Sequence, residues 1–169
     1  MKSENLSVDQ ELKITKPDNP GVQFPPPLLY AAFFLAGIFI QKFMPLSHSF
    51  FEQQPVRLAA VFFFLVGLLF STTSMSQFIR TKNTIIPNKA ATSLQTTGIY
   101  HTTRNPMYVA LAMIYLGLTC LFGNWWNIIL LPVLLILVQE LVIKREEQYL
   151  ARRFGEAFSQ YRQKVRRWL

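Results

Sequence analysis

Residues 58–79 read LAAVFFFLVGLLFSTTSMSQFI, a run without a single charged side chain. A helix needs about 20 such residues to cross the hydrocarbon core of a bilayer. In lipid, helices and closed barrels are the structures that satisfy every backbone polar group internally. Three further apolar runs lie on either side of this one: 28–44, 107–122, and 125–138, the last continuing through Leu141, Val142 and Ile143. The fold class this predicts is an all-α integral membrane protein with about four transmembrane helices. The first and third runs are short, and for each of them a buried or re-entrant helix is the alternative. Pro45 and Pro55 bracket a short connection between the first two runs, and Phe122, Gly123 and Asn124 leave only a tight turn between the last two. Two antiparallel hairpins are therefore expected.

Composition supports the same class. Of 169 residues, 51% are hydrophobic and only 15% are charged, with a formal net charge of +8. A soluble domain carries about 25% charged residues, and a nucleic-acid binder of this size would carry more. Residues 1–79 hold equal numbers of basic and acidic side chains, so the whole excess lies after position 79. Short loops rich in Lys and Arg stay in the cytoplasm. Arg80, Lys82, Lys89 and Arg104 lie between the second and third runs. Lys144, Arg145, Arg152, Arg153, Arg162, Lys164, Arg166 and Arg167 follow the fourth, and the turn at 122–124 has no basic residue. Both termini are thus expected in the cytoplasm, as in a bacterial inner membrane, with Trp125 and Trp126 at the opposite interface.

The flanks read differently. Residues 1–27 are polar and contain Pro17, Pro20, Pro25, Pro26 and Pro27, which predicts a disordered tail ahead of a single domain at 28–169. No short basic start and cleavage site mark it as a secretory signal. From Glu140 the pattern becomes amphipathic: Leu150, Phe154, Ala157, Phe158, Tyr161, Val165 and Trp168 recur at three- and four-residue steps. This predicts a cytoplasmic helix lying on the membrane or folded back over the bundle. Gly155 leaves open whether it is one helix or two.

Few residues can carry chemistry. His48 and His101 fall on opposite sides of the predicted membrane, the single Cys120 lies in an apolar run, and no metal-ligand spacing is present. Two groups stand out. Thr97, Gly98, Ile99 and Tyr100, then Arg104, Asn105, Pro106, Met107 and Tyr108, precede and open the third run. Structurally, Asn105 would cap that helix, Pro106 would start it, and Tyr108 would anchor it at the interface. The second group is Glu140, Glu146 and Glu147. On an ideal helix Glu147 falls near the line through Ile143, Leu150 and Phe154, and Glu146 at the edge of that face; pairing with Lys144 or Arg145 in solvent is the alternative. Glu140 lies within an apolar run, where an ionisable group is a functional candidate.

The strings TTGIYHTTRNPMY (96–108) and REEQYLARRFGEAFSQYRQKVRRW (145–168), separated by a tight apolar hairpin, resemble the C-terminal half of the isoprenylcysteine carboxyl methyltransferase and phospholipid N-methyltransferase superfamily of integral membrane enzymes. The resemblance covers roughly residues 81–168. Relatives commonly read Arg-His-Pro-x-Tyr at the turn, where this chain has Asn105 in place of the His. The resemblance implies S-adenosylmethionine as methyl donor, held by Gly98, Tyr100, Arg104, Asn105, Glu146 and Glu147, and no metal. It implies methyl transfer at the cytoplasmic face to a lipid or small hydrophobic acceptor, whose reacting group is a carboxylate, thiol or amine.

The chemistry of those residues fits. Arg104 can pair the donor's carboxylate, and Glu146 or Glu147 its ammonium or ribose. Neither Glu belongs beside the sulfonium, where it would stabilise the ground state more than the transition state. An amine or thiol acceptor must lose a proton, for which Glu140 or Tyr108 is the candidate, so Arg104, Tyr108 and Glu140 form the expected catalytic set. Two other readings are weighed. An NADPH-dependent reductase resembling the sterol reductases has a related turn, but Val109, Ala110, Leu111 and Ala112 follow Tyr108 here without the acidic residue expected of that class. A non-catalytic membrane scaffold would leave the Glu pair exposed, with no pocket joining it to Arg104.

Overall fold

Prolines start three of the helices, at positions where an amide N–H has no helical acceptor and a fixed φ suits the first turn. In the computed structural model, which describes residues 19–22, 24–81 and 91–169, α1 spans Pro26–Phe43, α2 Gln54–Arg80 and α3 Pro106–Phe122. Helix α4 spans Trp125–Val138 and runs without a break through a π-helical turn, Gln139–Ile143, into α5, Lys144–Phe154. Helix α6 is Glu156–Lys164, and short 3-10 turns occupy Ser49–Glu52 and Gly98–His101. No strand occurs among the described residues.

Helices α1 and α2 and the continuous Trp125–Phe154 are long and apolar enough to cross a membrane; α3 is equally apolar but shorter, at 17 residues. At 1.5 Å per residue α3 reaches about 25 Å, slightly less than a hydrocarbon core. The apolar part of Trp125–Phe154 ends at Ile143, and the charged sequence Lys144–Arg145–Glu146–Glu147 follows it. The chain is an all-α integral membrane protein. Lys82, Lys89 and most of the expected N-terminal tail lie outside the described residues. Of that tail, residues 19–22 and 24–27 pack on the bundle: Val22 is buried, and the Gly21 carbonyl accepts a 3.1 Å bond from Arg145 Nη1.

Short connections join α1 to α2 and α3 to α4 as the sequence implies, yet the closest packing lies between other pairs. Helix α2 packs most extensively on α3, and α1 on α4, whereas α1 and α2 scarcely touch. Small residues explain the first pairing. A Cβ on Gly67 would lie 2.9 Å from the Ile114 amide nitrogen, and one on Gly117 would lie 2.9 Å from that of Phe64. Ala60 and Ala110 are buried in the same seam. Without a hydrophobic driving force in lipid, such backbone approach supplies the dispersion contact that holds helices together. On the other seam Gly37 makes room for the fully buried Asn127, whose Oδ1 would lie 1.7 Å from an added Cβ.

The two ends of the bundle differ in chemistry. At one end Trp125 packs against Phe50 and Phe51, and Trp126 Nε1 donates to the Met44 carbonyl at 2.8 Å. At the other end α6 folds back over the Gly98–His101 turn, with Phe158, Tyr161 and Val165 burying Tyr100 in a second small core. The break between α5 and α6 falls at Gly155, whose φ of +51° is a conformation that side-chain-bearing residues rarely adopt.

Candidate functional site

The site is built where the turn ahead of α3 meets the start of α5. Gly98 turns the chain with φ +60°, and Gln77 of α2 ties this turn down, donating to the Thr97 carbonyl at 2.9 Å. A Cβ on Gly98 would approach Gln77 Oε1 to 2.7 Å, so this glycine serves the backbone rather than a cavity wall. Asn105 stands at the N-cap position of α3, but its side chain does not cap. Its Nδ2 instead donates to the Arg167 carbonyl at 2.9 Å, while its own N–H is held by Thr103 Oγ1. Thr103 Oγ1 also donates to the Arg167 carbonyl, and the Arg104 N–H to that of Arg166. The segment 165–168 thus straps across the turn.

The π-helical turn sets the phase of α5. A wide turn inserts one extra residue, which rotates everything after it by about 100° relative to an uninterrupted helix. Glu147 consequently points inward and is buried, with Glu146 beside it. Glu147 meets two arginines. Arg167 donates to it bidentately, Nε to Oε1 at 3.0 Å and Nη2 to Oε2 at 2.7 Å, while Arg104 Nη2 approaches Oε1 at 3.3 Å. Glu146 Oε1 accepts from the Tyr108 hydroxyl at 2.7 Å.

A cavity of about 480 Å3 lies between these groups, within the size range of small-molecule sites. Tyr100, Arg104, Asn105, Tyr108, Glu146 and Glu147 all line it, against an apolar wall that includes Phe78, Leu111 and Phe158. Gly98 is not among the lining residues. Glu140 is not brought to it: this side chain is exposed and pairs with Lys144 Nζ at 2.6 Å. Sequence reasoning did not single out Arg167, Thr103 or Tyr161, whose hydroxyl donates to the Tyr100 carbonyl at 2.7 Å. Arg167 sits in a run of basic residues with no distinguishing neighbour, and its partner lies twenty positions away.

The electrostatics follow from burial. Desolvation pulls the Arg104 guanidinium below its ordinary range, opposed by the Glu147 carboxylate and aided by Arg167 and Arg162. Its Nε and Nη1 are buried without an acceptor. Buried N–H groups of a cation are nearly always satisfied, and these two nitrogens are what the Arg104 contact with Glu147 leaves without a partner among the described residues. The bond to Glu147 holds the Arg167 guanidinium above its ordinary range. Burial pushes the Glu146 carboxyl up to about 7, against the stabilising bond from Tyr108 and with help from the Glu147 charge. Burial likewise raises Tyr161 to about 12. Among the described residues no cluster of His, Cys, Asp and Glu could hold a metal ion.

Comparison with known proteins bears on this arrangement. An uncharacterized protein of Haemophilus influenzae is 39% identical over 66 residues, which are 37% of this chain and all of that protein. The protein-S-isoprenylcysteine O-methyltransferase of Schizosaccharomyces pombe is 32% identical over 109 residues, which are 63% of this chain and 46% of the yeast enzyme. The chain therefore spans about half the length of that enzyme. No solved structure matches. The phospholipid methyltransferase family model matches residues 56–157, which takes in α2, the strapped turn, the apolar hairpin and the Glu146–Glu147 pair. On that match across more than half its length, the chain belongs to the phospholipid methyltransferase family.

Proposed function

We propose that this protein transfers a methyl group from S-adenosylmethionine to a lipid or small hydrophobic acceptor at the cytoplasmic face of a bacterial inner membrane. The observation that carries this reading is that Arg104, with two guanidinium nitrogens left without a partner among the described residues, lines the same cavity as Glu146. A guanidinium and a carboxylate on the same cavity complement an amino-acid moiety, which presents a carboxylate and an ammonium. Arg104 would hold the former and Glu146 the latter, with Tyr108 fixing Glu146 through Oε1. Glu147 is taken up by two arginines and orients Arg104. Tyr100 and Asn105 complete the polar wall.

S-adenosylmethionine supplies an electrophilic methyl on a sulfonium when bound. The chain's own contribution is positional. Phe78, Leu111 and Phe158 exclude water from one side of the cavity, and excluding water strengthens the charge pairs that orient a ligand. A carboxylate or thiolate acceptor needs no base, and for an amine the cavity offers the Tyr108 hydroxyl, which could pass a proton on only through the Glu146 carboxylate it donates to. The name of the yeast relative, an O-methyltransferase, supports an oxygen acceptor such as a carboxylate. A nicotinamide dinucleotide suits the cavity poorly: it carries several phosphate charges, whereas Glu146 and Glu147 face a single Arg among the described lining residues.

Titration calorimetry of the detergent-purified protein with S-adenosylhomocysteine tests the reading. One-to-one binding is expected, weakened about 100-fold by Arg104→Gln, the loss of a charged hydrogen-bonding partner. A folded sample that does not bind would overturn it.

A further inference from the structure

Two guanidinium groups on one buried carboxylate are an unusual ratio. The Arg104, Glu147 and Arg167 side chains are respectively 9%, 11% and 29% exposed, so their charges are poorly screened and the trio carries a net charge of +1. The bonds are not shared equally. Arg167 takes both carboxylate oxygens in the fork geometry that guanidinium and carboxylate prefer, and Arg104 touches Glu147 through Nη2 alone, at 3.3 Å. Without Arg167, Arg104, which already touches Glu147 through Nη2, could turn its own fork onto that carboxylate, neutralising it and using up donors that have no partner among the described residues. We propose that Arg167 is a positioning residue which occupies Glu147 so that Arg104 stays free for the anionic end of the ligand. This rests on the donor assignment made above.

The backbone supports the same role. Arg167 could serve this way only if its place were fixed relative to Arg104, and it is fixed on both sides. The Arg104 N–H donates to the Arg166 carbonyl, and Thr103 and Asn105 both donate to the carbonyl of Arg167 itself. Trp168 Nε1 pins the next residue to Gln139 Oε1 at 3.1 Å, on the π-helical turn that orients Glu147. Four bonds thus set the segment 165–168 in register with both halves of the site, which is more than a lipid-attracted basic tail requires.

The test compares two ligands on the full chain by calorimetry: S-adenosylhomocysteine, and S-adenosyl-3-thiopropylamine, the same molecule without its carboxylate. Arg167→Gln is expected to weaken the first by about 10- to 100-fold and to change the second by no more than about twofold. In a Glu147→Gln background, where no carboxylate remains to capture Arg104, the same Arg167→Gln change is expected to cost less than about threefold. Arg167→Lys, which keeps the charge but not the fork, should restore part of the carboxylate-dependent affinity. Equal weakening of both ligands, no weakening of either, or an undiminished loss in the Glu147→Gln background would overturn the proposal. If Arg167→Gln does not fold, Arg167→Lys carries the test, with a loss confined to S-adenosylhomocysteine expected and equal loss of both ligands contradicting it. Failure of the wild-type protein to bind S-adenosylhomocysteine would instead overturn the donor assignment on which the proposal rests.

Discussion

Glu146 shows at the scale of one residue how burial tunes a site. Its carboxyl is pushed up to about 7 because it has left water, and the bond from Tyr108 offsets only part of that cost. An ammonium pairs with the ionised form alone. Below about pH 7 the group holds its proton in the free protein, so binding must expel that proton, and above it binding needs no such step. Affinity for S-adenosylhomocysteine is therefore expected to climb as pH rises through about 7 and to level off beyond it. A calorimetric pH series would show this, and Glu146→Gln should flatten the profile while lowering affinity; an unchanged slope in that variant would contradict the role of Glu146. Arg104, Tyr108 and the Glu pair were legible as candidates because polar residues at a helix entry and carboxylates on an apolar stripe have few structural reasons to be there. Glu140 met the same criterion, and its pairing with Lys144 one turn away is the ordinary solvent-side outcome. Arg167 was not legible, since one arginine among eight basic residues has no pattern of its own.

Elements were easier to read than the way they pack. Each apolar run became a helix, and Gly155 separates α5 from α6, one of the two outcomes the sequence left open. Helix pairing was hidden, because in lipid it depends on where small residues let backbones approach, and Gly67, Gly117, Ala60 and Ala110 look like ordinary apolar filler in the runs that contain them. Gly117→Leu is expected to force α2 and α3 apart and to cost about 1–3 kcal/mol of stability, measured as a lower midpoint of thermal unfolding in detergent; a midpoint equal to wild type would contradict the seam. The π-helical turn was equally hidden, since Gln139 to Ile143 contains nothing that forbids a regular helix. It matters because it sets which residues of α5 face the cavity. Gly155→Ala has open space around it but must adopt a positive φ, so a cost of about 1–2 kcal/mol is expected from backbone strain alone.

The described part of the molecule divides into an aromatic end and a basic, strapped end, and that asymmetry predicts an orientation in the membrane. The positive charges of α5, α6 and the segment 165–168 gather at the end that carries the cavity, and the positive-inside rule predicts a cytoplasmic location for such an end. Cysteines placed at Ser159 and at Gln53 in a Cys120→Ser background should therefore label from opposite sides of intact cells, with Gln53 the accessible one; the reverse pattern would contradict the orientation. The central claim is that the cavity between the strapped turn and α5 binds an S-adenosyl methyl donor. Calorimetric titration of wild-type and Arg104→Gln protein with S-adenosylhomocysteine, with NADPH as control, tests it most directly. One-to-one binding of S-adenosylhomocysteine that weakens about 100-fold in the variant, with no heat from NADPH, is the result predicted. No binding by folded wild-type protein, or binding of NADPH in its place, would contradict it.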